Sequence, residues 1–198
     1  MNKSYYLERE LDEEKWNYIT HGIGAILMLF YVMNTQVFHG KAIPLFLGIT
    51  FLISTMYHSC LNIKMKQRFR QIDMSSIYLS IGVTASIFCY TVGSPAWYLP
   101  VFCGLLLSIL GYFAYGLFWD SIMVSVSTLF ACSSILLFFI SSYGSGSTDV
   151  ALYFYSGNIA YSAGLWFYVR DRKKWFHTIW HVFVVLGAII HSSYYFTP

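Results

Sequence analysis

"GIGAILMLFYVMNTQVF", residues 22–38, runs for seventeen residues without a charged side chain. At 1.5 Å per residue a helix of that length crosses most of a hydrocarbon core ~30 Å thick. Six more runs of the same kind follow: "AIPLFLGITFLISTMY" (42–57), "SSIYLSIGVTASIFCYTVG" (75–93), "WYLPVFCGLLLSILGYFAYGLF" (97–118), "SIMVSVSTLFACSSILLFFISS" (121–142), "ALYFYSGNIAYSAGLWFYV" (151–169) and "IWHVFVVLGAIIHSSYYF" (179–196). A membrane strand needs only about ten residues and strict alternation of apolar and polar side chains, and that alternation is missing. The expected fold is therefore an all-α, polytopic membrane protein, a bundle of seven transmembrane helices near 17–38, 42–61, 73–93, 97–118, 121–141, 150–169 and 176–196.

Composition agrees with this reading. The 198 residues are 57% hydrophobic, 20% aromatic and 11% charged, whereas a soluble domain is about a quarter charged. Connections this short leave no room for a second domain, so residues 1–198 form one seven-helix unit after a charged segment, 1–16. That segment, "MNKSYYLERELDEEKW", lacks a basic start leading into a short apolar core and cleavage site, so a removable signal peptide is not expected. The cysteines, Cys60, Cys89, Cys103 and Cys132, all fall within expected spans without Cys-x-x-Cys spacing. They read as packing residues.

Orientation follows from the twelve Lys and Arg residues, because positively charged loops stay cytoplasmic. Lys3, Arg9 and Lys15 precede the first span; Lys64, Lys66, Arg68 and Arg70 follow the second; Arg170, Arg172, Lys173 and Lys174 follow the sixth; only Lys41 falls on the other side. The N-terminus is thus expected inside and the C-terminus outside. The net charge of +3 is a topology signal and not a nucleic-acid patch.

With topology assigned, each ionisable residue acquires a depth. His58, with Ser54 one turn away on the same face, ends the second span; Asp73 begins the third; His177 and His181 occupy the first turns of the seventh. Three helices therefore bring three histidines and a carboxylate to one level. Alone, Asp73 is equally well a helix cap and His58 an interfacial histidine. Together they say more, because an ionisable group in hydrocarbon costs about 2.5–3.5 kcal/mol on insertion scales and is seldom carried without a partner. Three imidazoles that leave a fourth position open suit catalytic zinc, and a nearby carboxylate suits the role of proton acceptor. Ser54 could bond the water or a developing oxyanion. His21 shares a face with Asn17 and Glu14; His21 and Asn17 are candidates to support the ligands from behind, with helix packing the plainer role for His21. His191 lies about 15 Å further along its helix than His181 and is too far to join them. His39 is expected to face water in a short loop.

"EEKWNYITHGIG" (13–24), "STMYHS" (54–59), "QIDMSSIYL" (71–79), "GNIAYSAGLWFY" (157–168) and "HTIWHVFVVLGAIIH" (177–191) together resemble the hemolysin III family, within the wider progestin and adipoQ receptor superfamily. The superfamily is similar to the alkaline ceramidases in its Ser-x-x-x-His, Asp and His-x-x-x-His pattern. That resemblance implies His58, His177 and His181 as ligands of one zinc ion, with Asp73 and Ser54 at the water-activating positions. Met74 and "GVTASIF" (82–88) stand where the family usually has His and a Gly-Thr-Tyr-Thr-Pro run. A multi-pass protein of the bacterial plasma membrane, with the bilayer and a lipid substrate or ligand as partners, is expected. Three functions compete: a zinc-dependent hydrolase of a lipid amide or ester, a pore-forming cytolysin, and a receptor in which the metal only holds helices together. A pore needs a polar stripe through the membrane, and these runs are polar mainly at one level.

Overall fold

The computed structural model describes residues 9–113 and 148–196. Among them the chain is helical, with α1 at Leu11–Asn34, α2 at Ala42–Ser59, α3 at Ile63–Thr91, α4 at Tyr98–Phe113, α5 at Thr148–Tyr168 and α6 at Phe176–Ser193. No β-strand occurs among the described residues; the one bridge pairs Thr35 with Phe196. The expected span at 121–141, and the end of the one at 97–118, lie outside the described residues. Four stretches, Leu11–Asn34, His39–Ser59, Ile63–Thr91 and Phe176–Ser193, are long and apolar enough to cross a membrane.

Packing follows chain order. α1 lies against α2, α2 against α3, α3 against α4, and α5 against α6, while α6 also closes onto α1. Met28, Ile43, Phe51, Phe88, Phe154 and Ala188 meet in the core between these helices. Large apolar side chains such as Ile26, Leu52, Ile159 and Val182 point outward, where lipid rather than water makes exposure harmless. α3 and α4 approach closely at two glycines: a Cβ on Gly82 would stand 2.6 Å from the Pro100 carbonyl oxygen, and one on Gly104 2.6 Å from that of Tyr78. Close backbone contact through small residues is how helices pack when lipid offers no hydrophobic drive.

The third helix differs from expectation at its start. It begins at Ile63, not near 73, with the Asn62 side chain accepting a hydrogen bond from the Met65 amide at 3.1 Å. Asn is a preferred residue at that position because its side-chain oxygen satisfies an amide with no helical partner. Two consequences follow. Lys64, Lys66, Arg68 and Arg70 occupy the first turns of α3 rather than a loop, and Asp73 sits inside the helix, where it caps nothing. The high charge of "KMKQRFR" hid a helix that turns Lys66 and Arg70 inward. α1 likewise starts earlier than expected, at Leu11, and buries Glu13 and Glu14 in its first turn.

Trp175, immediately before α6, has φ of 70°. A bulky residue seldom adopts this left-handed conformation, and here it turns the chain from the basic loop into the helix that carries His177 and His181.

Candidate metal centre

The last turn of α2 carries His58 and Ser54, and the first two turns of α6 carry His177 and His181. Each of the three imidazoles offers a nitrogen, and these nitrogens lie within 4.8 Å of one another. Ring centroids are 5.2 Å apart for His58 and His177, 4.9 Å for His58 and His181, and 4.6 Å for His177 and His181. All three rings are buried. The i, i+4 spacing on one helix and a single residue from another thus converge, as the shared depth predicted.

Oxygen atoms stand behind the rings. His58 Nδ1 is 2.5 Å from Glu14 Oε2, and His181 Nδ1 is 3.2 Å from the Asn17 carbonyl oxygen and 3.4 Å from Thr20 Oγ1. Asp171 Oδ2 lies 3.6 Å from His177 Nδ1, beyond hydrogen-bond length but close enough for charge to matter. A carboxylate or backbone carbonyl can only accept, so His58 and His181 each donate from Nδ1 and keep a lone pair on Nε2. His58 Nε2 is buried with no hydrogen-bond partner among the described residues. A buried polar atom in that condition calls for something to satisfy it, and three neutral imidazoles fit a divalent metal.

The supporting carboxylates are themselves paired. Glu14 Oε1 accepts from Lys66 Nζ at 2.8 Å, and Asp171 Oδ2 from Arg9 at 2.6 Å. Lys174 and Glu10 form a further, exposed ion pair, so the start of α1 is tied to the loop before α6. Burial pushes the Asp171 carboxyl up from its ordinary range, and the Arg9 guanidinium opposes that shift.

Asp73 and Ser54 are both buried and line the same cavity. His21, His177 and His181 line it too, and its walls continue through Phe51, Ile81 and Phe154 to His191. His58 is not among the lining residues, so two of the three imidazoles face the open space. Asn17 supports the centre from its backbone, while its side chain accepts from Thr178 at 2.6 Å. The His21 ring nitrogens have no hydrogen-bond partner among the described residues; the ring stacks on His181 at 3.6 Å. His191 stands apart, its Nε2 3.0 Å from the Phe154 carbonyl oxygen. His39 packs edge-on to Tyr90 and Tyr195, where sequence suggested open water.

Sequence reading missed Glu14, Lys66, Arg9 and Asp171. The spacing of Glu14, Asn17 and His21 on one helical face was a usable signal. Asp171 sits in a loop with no periodicity, and nothing local marked it.

Residues 9–192 match the family model described as Haemolysin-III related. "Hemolysin-3" of Bacillus cereus is 29% identical over 197 residues, covering 89% of this chain and 87% of the relative. "Hemolysin-3 homolog" of Bacillus subtilis (strain 168) is 26% identical over 205 residues, covering 90% of each. No solved structure matches the chain. With its apolar spans and bacterial relatives, this is a multi-pass integral membrane protein of the bacterial membrane, and the chain belongs to the haemolysin-III related family.

Proposed function

We propose that the chain is a metal-dependent hydrolase of a lipid amide or ester, with zinc held by His58, His177 and His181. The observation that carries this reading is a mostly apolar cavity whose lining includes Asp73, Ser54 and two of the three imidazoles. Such a space suits a lipid with one polar reacting group. When bound, zinc polarises a carbonyl and lowers the pKa of a water to about 7.

The chain's own residues supply the rest. Asp73 accepts a proton from the attacking water and returns it to the leaving amine or alkoxide as the carbonyl carbon–heteroatom bond breaks. Ser54, which lines the cavity with Asp73, holds the water or donates to the developing oxyanion. Apolar walls exclude bulk water and so strengthen each of these interactions.

Purified protein should release fatty acid from at least one member of a panel of lipid amides and esters, and a chelator should stop it. Dye leakage from vesicles without hydrolysis would transfer the cytolysin reading suggested by the relatives' names to this chain. Lipid binding with no turnover, metal present, would favour a receptor.

A further inference from the structure

We propose that Glu14 is a positioning residue of the metal centre, setting His58 in the tautomer that presents a bare Nε2 to the ion. The inference rests on His58, His177 and His181 being metal ligands.

Glu14 comes from α1, His58 from α2 and Lys66 from α3, and all three side chains are buried. One carboxylate oxygen faces His58 Nδ1 at 2.5 Å and the other faces Lys66 Nζ at 2.8 Å. An ionised carboxylate has no proton to give, so Nδ1 must be the donor. A neutral imidazole has only one N–H, and spending it on Glu14 leaves the lone pair on Nε2. That nitrogen is buried and has no hydrogen-bond partner among the described residues. The other tautomer would leave an N–H on buried Nε2 with nothing among the described residues to accept it.

Lys66 completes the device. An ammonium only donates, so it holds the second carboxylate oxygen and balances a negative charge that would otherwise be expensive in an apolar bundle. Partners of this kind behind a metal-bound histidine fix ring orientation, and their loss typically costs 10–100-fold in metal affinity.

The lysine also makes the inference testable beyond simple loss. In Glu14→Gln the amide oxygen must face Lys66, which can only donate, so the amide NH2 faces His58 and drives its proton to Nε2. Zinc affinity of the purified full-length protein, measured against a chromophoric chelator, should fall by roughly 10–100-fold. In Glu14→Gln with Lys66→Met the amide is free to turn its oxygen to His58, and most of that loss should be regained. A residue needed only for packing would not be rescued by a second substitution. Independently of any variant, nitrogen NMR of the metal-free wild type should show His58 protonated at Nδ1.

Wild-type zinc affinity in Glu14→Gln, no recovery in the double variant, or an Nε2–H tautomer of His58 in the wild type would each overturn the inference. His58→Ala serves as the reference: unchanged zinc binding there overturns the metal reading itself, whereas loss there with no effect of Glu14→Gln overturns only the role of Glu14.

Discussion

The imidazole of His21 lies flat against that of His181, with ring centroids 3.6 Å apart and planes inclined by 9°. Among the described residues both nitrogens of His21 are buried without a hydrogen-bond partner, and its ring also meets Phe51 at 4.9 Å. The contact is therefore one of shape. A buried polar atom left unpaired costs about 1–3 kcal/mol, and replacing it by an apolar group of similar shape is near neutral or stabilising. His21→Phe is predicted to keep its zinc and to unfold at the same denaturant concentration as wild type or a higher one. Loss of zinc from a folded His21→Phe protein would show that a His21 nitrogen belongs to the centre.

Asp73 separates a catalytic site from a structural one. Because it lies inside α3 and caps nothing, Asp73→Asn removes a proton acceptor while nearly preserving shape. Hydrolysis should fall by about 10²- to 10⁴-fold, the usual scale for losing a general base. Bound zinc should be unchanged. Fatty-acid release and metal content measured on the same preparation decide the matter, and equal hydrolysis by both proteins would remove Asp73 from the mechanism.

Topology can be read independently of chemistry. Eleven of twelve basic residues lie on one side of the expected spans, so the N-terminus is predicted to be cytoplasmic and the C-terminus external. A reporter fused after Pro198 should be active only outside the cell. Activity in the cytoplasm would reverse the orientation of the histidine cluster.

Four of the expected spans were legible because lipid imposes a simple rule on length and apolarity, and the histidine cluster because i, i+4 spacing and helix ends can be counted. What sequence obscured was charge turned inward. "KMKQRFR" reads as a solvated loop, yet Lys66 and Arg70 are buried in α3, Lys66 answering a carboxylate from α1 that no local pattern connects to it. Asp171 was hidden for the same reason, since its partner Arg9 is 162 residues away. Such pairings are tertiary facts; local periodicity does not encode them.

His191 tests whether the cluster is local. It lines the cavity, and its Nε2–H bonds the Phe154 carbonyl. Its ring also fills the space above Gly157 that a side chain there would need. His191→Ala should leave zinc content unchanged but destabilise the fold by about 2–4 kcal/mol, through a lost ring and an unmet buried carbonyl. Denaturant unfolding beside metal analysis would show both; zinc loss in a folded variant would contradict the assignment.

The central claim, that His58, His177 and His181 hold one metal ion, is tested most directly by metal analysis of purified wild type beside His177→Ala/His181→Ala. The wild type should carry about one divalent ion per chain, as a three-histidine site implies. The double variant should carry essentially none and should melt lower, because an ion bound only by the folded state stabilises it. Full occupancy in the folded double variant would contradict the account.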